Sequence, residues 1–211
     1  MITCLRKRKN LQNTDESIFL MKNGQILLEK SITSCNGKCN LIRGFTTDEL
    51  KNATDNYALQ KVIRDGYVYK LYEGVLQDRT VSIMKFNDVL DDCEDCFNNI
   101  VFSSRISICK NVLKLTGCYL DTRIPILVFE LVQFGTIANH IYHHSHFEAL
   151  ELSQRLKIAM GIANAVAYLY FGFPKPVVFL NIKPSRIFLN ENYVAKLFDF
   201  SLSVTIPEGE M

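Results

Sequence analysis

The sequence predicts an α+β fold. Two observations carry that expectation. Short apolar segments separated by turn residues crowd between residues 62 and 132, and the longest helical pattern begins only afterwards, at Ser153. The chain has no internal repeat. With 211 residues, 48% of them hydrophobic, it has the material for a core of one or two domains. A formal net charge of +2 is too small to argue for nucleic-acid binding across the surface. Cys4, Cys35, Cys39, Cys93, Cys96, Cys109 and Cys118 make an odd number with no secretory signal, so reduced thiols in a cytoplasmic protein are expected. The longest nearly apolar run, Ala159 to Phe173, is broken by Asn164 and is too short to span a bilayer.

Residues 1–44 read as a basic and polar lead-in. It holds one ordered segment, around Gln25-Ile26-Leu27-Leu28-Glu29. Thr46-Thr47-Asp48-Glu49 is a capping box with Phe45 and Leu50 at the staple positions, which predicts a helix to about Asn56. Val62 to Val75 and Thr80 to Phe86, parted by Gln77-Asp78, predict antiparallel strands. Cys93 to Ser107 predicts a helix. Val112 to Leu120 and Ile124 to Val132, parted by Asp121-Thr122-Arg123, predict another strand pair. Ser153 is expected to cap a long helix with Leu152, Leu156, Ala159, Ala163, Val166 and Tyr170 on its packed stripe. That helix is apolar nearly all round, so it needs partners on several sides. Val177 to Phe179, Ile187 to Leu189 and Val194 to Phe198 predict three short strands.

The stretch from Phe179 to Ser201 reads FLNIKPSRIFLNENYVAKLFDFS. It resembles a protein-kinase catalytic loop, H-R-D-x-K-x-x-N, followed by D-F-G. Lys183, Pro184, Ile187, Leu189, Asp199 and Phe200 fall at the expected spacing, but Asn181 stands at the catalytic Asp and Arg186 at the metal-binding Asn. An amide cannot accept a hydroxyl proton as a carboxylate does, and a guanidinium repels Mg²⁺. TTDELKNATDNY, YEGVL, NVLKLTGCYL and PILVFELVQFGTI resemble elements of plant receptor-like kinases of the wall-associated type. The resemblance implies a kinase-like N-lobe over 45–132 with its lead-in helix, and a partial C-lobe over 133–211 that ends in the activation segment.

Each phosphate-handling part departs from that pattern. Aligned on YEGVL, the three glycines of the Gly-rich loop fall on Arg64, Gly66 and Tyr69. V-A-I-K becomes Val81-Ser82-Ile83-Met84, so Met84 stands where the phosphate-pairing Lys belongs. Lys85 faces away from the cleft unless a bulge turns it. The partner Glu maps to Asn99, and a one-residue slip gives only Asn98 or Ile100. Phe129 takes the gatekeeper position, Phe188 the floor of the adenine pocket, and Asp199 remains as one metal ligand. We therefore expect a degenerate nucleotide cleft around Gly66, Ser82, Met84, Phe129, Phe188 and Asp199. No catalytic residue, metal site or cofactor is expected, and no binding of Mg-ATP. Losing a positioned base alone costs about 10²–10⁴ in rate.

The whole pattern, with IPEGE after the D-F-G-like segment, is similar to a plant family of non-functional, resistance-related pseudokinases. That resemblance implies an adaptor or decoy in immune signalling, with a coiled-coil NLR receptor and pathogen effectors as partners and no nucleic acid. Two other readings stand beside it: a weak or unconventional serine/threonine kinase that binds ATP, and a truncated, non-functional product. Cys4 with Arg6, Lys7, Arg8 and Lys9 reads either as a solvated tail or as a palmitoylated, polybasic contact with the cytoplasmic face of the plasma membrane. Cys35, Cys39, Cys93 and Cys96 read as thiols rather than a zinc site. His140, His143, His144 and His146 read as a solvated helix end.

Overall fold

The computed structural model describes residues 14–35, 42–87, 94–106, 108–142, 149–173 and 175–207. The chain opens with helix α1, Thr14–Cys35, then strand β1, Arg43–Gly44, and helix α2, Thr47–Ala53. Strands β2 (Val62–Asp65), β3 (Tyr69–Leu76) and β4 (Arg79–Phe86) follow. Helix α3, Glu94–Arg105, leads to β5 (Leu115–Tyr119) and β6 (Ile126–Glu130). These strands form one six-stranded sheet in the order β1-β5-β6-β4-β3-β2, antiparallel except where β1 joins β5. The β3–β4 hairpin closes on Gln77 and Asp78, both left-handed (φ 51° and 58°), which matches the twist of the strands they join.

Both halves of the predicted capping box are present. Glu49 N–H donates to the Thr46 hydroxyl (3.2 Å), and Thr46 N–H donates to the Glu49 carboxylate (2.8 Å). Leu50 is fully buried one turn in. Helix α2 stops at Ala53 rather than near Asn56. The Thr54 hydroxyl turns back onto the Leu50 carbonyl (2.8 Å) and accepts Tyr57 N–H (3.0 Å), while Asp55, Asn56 and Tyr57 run left-handed.

Helix α1 is much longer than the lead-in segment expected around residues 25–29. Its 22 residues lie against α3, with Ile26 and Leu27 packed on the core beneath the sheet. The buried Asn23 amide fixes it by donating to the Leu120 and Thr122 carbonyls, both at 2.7 Å. Ile18, Met21, Leu28 and Ile32 remain exposed on its outer side. Apolar residues on both faces blur the periodicity from which a helix is read.

The second half contains helices α4 (Ile137–Tyr142) and α5 (Leu152–Phe171), then strands β7 (Val177–Val178), β8 (Ile187–Leu189), β9 (Ala195–Leu197) and β10 (Val204–Thr205). β8 pairs with β9, and β7 with β10, both antiparallel. The expected face of α5 is corrected by the structure. Ile158, Gly161, Ala165 and Leu169 are buried, whereas Leu152, Leu156, Val166 and Tyr170 are exposed. Gly161 marks the packed side, where an added Cβ would stand 2.7 Å from the Asn111 amide. The cap is Glu151 rather than Ser153, and its N–H donates to the Gln154 side chain (2.9 Å). Among the described residues, no helix is long and apolar enough to cross a membrane.

Among the described residues, three apolar clusters hold these parts together. One lies on the outer face of the sheet under α2, and one among α4, α5 and the short strands. The third joins α3 and the inner face of the sheet to Phe188 and Phe198 of the second half.

Candidate functional site: a cleft filled by its own side chains

The cleft lies between the inner face of the sheet and the β8–β9 hairpin. Met84 forms its roof. The residue has no solvent exposure and sits between Leu71 on β3 and Leu127 on β4's other neighbour, β6. The β3–β4 ladder passes through it and the β4–β6 ladder ends at it, neither with a bulge, so the next side chain, Lys85, points to the opposite face. There its ammonium lies 4.6 Å over the Tyr57 ring. Lys85 therefore does not take over the role of the missing lysine. Ser82, also fully buried, accepts a hydrogen bond from Val132 N–H (3.1 Å) and so engages a backbone donor of the segment after β6.

Gly66 sits in the tight β2–β3 turn, where its N–H donates to the Tyr69 carbonyl (3.1 Å). An added Cβ would stand 3.0 Å from that same oxygen. The Asn87 amide holds the turn by donating to the Gly66 and Tyr67 carbonyls, each at 2.8 Å. Tyr69, where a glycine would let a phosphate approach, turns its buried ring into the cleft. The ring meets Phe198 edge-on at 5.8 Å between centroids. Phe198 also meets Phe129 at 5.2 Å and Phe188 at 5.3 Å, again edge-on. Four aromatic rings and Met84 thus share one buried cluster.

The polar end of the cleft is equally occupied. Arg186 forms an ion pair with Asp199, whose side chain is 5% exposed. The other carboxylate oxygen accepts Ser201 N–H (3.2 Å) and faces the Asn99 amide (3.4 Å). Asn99 in turn accepts Phe200 N–H at 2.7 Å, and Asn98 donates to the Ser201 carbonyl at 2.7 Å. Asp199 is left-handed (φ 70°), a strained conformation held by these contacts. A divalent ion entering here would meet a guanidinium already seated on its one remaining carboxylate ligand. The residues present do not fit a metal-bound triphosphate.

The remaining expected residues are less central. Asn181 is buried, Lys183 is exposed, and Leu180 and Ile182 point outward beside them. His140 is buried rather than solvated, with Nε2 at 2.9 Å from the Phe134 carbonyl. His143, His144 and His146 lie outside the described residues, as do Cys4, Arg6, Lys7, Arg8, Lys9, Cys39 and Cys93. Cys96 is buried in the core, and among the described residues no group of three or more metal-ligating side chains occurs. The sequence did not point to the part played by Arg64. Its guanidinium donates to the Ser185 carbonyl at 2.7 Å, across 121 residues of chain, and lies 5.7 Å from the nearby Tyr69 ring.

Comparison with known proteins shows the family of the chain. Residues 58–211 match the protein kinase domain. The chain is 42% identical to the non-functional pseudokinase ZED1 of Arabidopsis thaliana, over 90% of this chain and 57% of that protein. It is 35% identical to the serine/threonine-protein kinase ZRK1, over 91% of this chain and 57% of that one. With wall-associated receptor kinase-like 1, both proteins again from Arabidopsis thaliana, identity is 33% over 98% of this chain and 28% of the relative. The chain thus spans little more than half the length of the pseudokinases it matches. An α+β chain with this sheet, this loop and these relatives belongs to the protein kinase family, among the plant pseudokinases and receptor-like kinases.

Proposed function

We propose that this chain is a catalytically inert pseudokinase that works through its folded surface as an adaptor or decoy in plant immune signalling. Its partners on this reading are a coiled-coil NLR receptor and pathogen effectors, met in the cytoplasm or at the cytoplasmic face of the plasma membrane. The observation that carries inertness is the Arg186–Asp199 ion pair in the place of a metal. Met84, Asn99 and Asn181 remove the other charges that phosphoryl transfer depends on. The name of the relative ZED1 supports the same reading, whereas the adaptor role rests on the wider family resemblance.

Phosphotransfer from labelled ATP to a generic substrate is the direct test. The full chain and its Asn181→Asp variant are both expected to stay at background, because a restored base still lacks the lysine, its Glu partner and a second metal ligand. Turnover by either protein would favour a weak or unconventional kinase, a reading for which the kinase name of ZRK1 is the supporting observation. For the adaptor role, co-immunoprecipitation of the full chain with coexpressed coiled-coil NLRs is expected to give a complex whose yield is independent of added ATP. Failure to recover any such receptor would sink the adaptor reading and leave inertness standing.

A further inference from the structure

We infer that Arg186 is a built-in replacement for the divalent metal, and that with Arg64 it clasps the two halves of the protein shut without nucleotide. The inference extends the inert reading proposed above but is tested apart from it, by stability and not by turnover. Arg186 ends the 3₁₀ turn Pro184–Arg186 in the second half, and from there it reaches the Asp199 carboxylate and the Tyr69 hydroxyl of β3, the latter at 3.2 Å. The guanidinium thus joins an anionic oxygen of the second half to a hydroxyl oxygen of the first.

A second cation completes the clasp in the reverse direction. Arg64 leaves the sheet from β2 and donates to the Ser185 carbonyl, one residue before Arg186. Both guanidinium carbons lie 5.7 Å from the centre of the Tyr69 ring. Each half therefore sends one arginine onto the other half, and Tyr69 stands between them as a shared contact. The pair is well sheltered, since the Arg186 side chain is 19% exposed and that of Asp199 5%. An ion pair so placed is not screened as a surface pair is, and removing one partner strands the other. The left-handed backbone at Asp199 fits a segment held in one state, because strain of that kind persists only where surrounding contacts fix it.

The test uses the full chain and thermal unfolding in chelator and in about 10 mM MnCl₂. Wild type is expected to unfold at the same temperature in both, within about 1 °C, because the cation position is taken. Arg186→Gln and Asp199→Asn are each expected to lower that temperature by about 10 °C. The double variant should fall no further than the worse single, as removing the second member of a broken pair costs little more. Arg64→Gln serves if those variants do not fold, since its side chain is only partly buried. It should remain folded yet show at least about fivefold faster amide exchange at Gly66, whose N–H closes the turn under the clasp. Losses that add in the double variant, stabilisation of wild type by Mn²⁺, or unchanged exchange in Arg64→Gln would each overturn the inference. Phosphotransfer by wild type would overturn inertness and leave these outcomes to be read on their own.

Discussion

Met84→Lys restores the residue that a phosphate-binding cleft would need, and the structure predicts that the protein suffers for it. Met84 has no solvent exposure and is flanked by Leu71 and Leu127. The position on α3 that would pair with a lysine carries the Asn99 amide, and Asp199 is committed to Arg186. A new ammonium thus arrives in an apolar site with no uncommitted counter-charge beside it among the described residues. It is expected to escape by giving up its proton, which caps the cost. Deprotonating a lysine of ordinary pKa near 10.4 at pH 7 costs about 5 kcal/mol, at 1.36 kcal/mol for each unit. The lysine methylenes recover most of the packing of the thioether, so that term dominates. A loss of about 5 kcal/mol rivals the whole stability of a modest domain and lowers the melting temperature by about 10–20 °C.

The sign of the pH dependence is fixed by the same reasoning. In the variant the folded lysine binds its proton more weakly than the unfolded one, so stability rises with pH. Between pH 7 and pH 9 about 3 kcal/mol should return relative to wild type. Urea unfolding of the full chain, followed by far-ultraviolet circular dichroism at both pH values, measures this. A variant within about 1 kcal/mol of wild type at pH 7 would show that the introduced ammonium finds water or a carboxylate there, and that the surroundings of Met84 are not closed to charge.

Three further predictions rest on other parts of the fold. Burial pushes the Tyr57 hydroxyl up to about 12, so the stability it contributes is intact below pH 10 and lost as pH climbs toward 12; Tyr57→Phe should flatten that alkaline limb in a pH series of unfolding curves. Gly117→Ala drives a methyl into the Phe45 ring and the Arg43 carbonyl, and is expected to cost about 2–3 kcal/mol in urea unfolding, whereas a neutral result would mean that β1 is not seated on β5 as described. Thr46→Ala removes half of the α2 capping box and should cost about 1 kcal/mol, read from the same curves, with Thr46→Ser close to wild type.

What the sequence disclosed and what it hid follow from the range of the interactions. The replaced groups Met84, Asn181 and Arg186 were legible because each is defined by its offset from a neighbouring motif. The α2 cap was legible for the same reason, since its donors and acceptors are three residues apart. The packed face of α5 was not. With apolar side chains on every side, period alone cannot choose a face; the small residues Gly161 and Ala165 do, by admitting Asn111 and β9, and that is visible only once those partners are in place. The destinations of Arg64, Asn98 and Asn99 were hidden as well, because each binds about a hundred residues or more away along the chain.

Phe198, with its edge-on contacts to Tyr69, Phe129 and Phe188, changes the rules under which the cleft can vary. A ligand site is governed by direction: one displaced donor ruins it, whatever the volume. A packed interior is governed by volume and shape, and tolerates exchange among apolar residues of similar size while it resists any polar intruder. Tyr69, Met84, Phe129, Phe188 and Phe198 pack against one another in one buried cluster, which places their side chains under the second regime. A library of substitutions across Met84, Phe129, Phe188 and Phe198 should therefore rank its members by side-chain bulk and polarity. Each step back toward a kinase-like residue would then register as damage to the fold, long before it registered as a gain in chemistry.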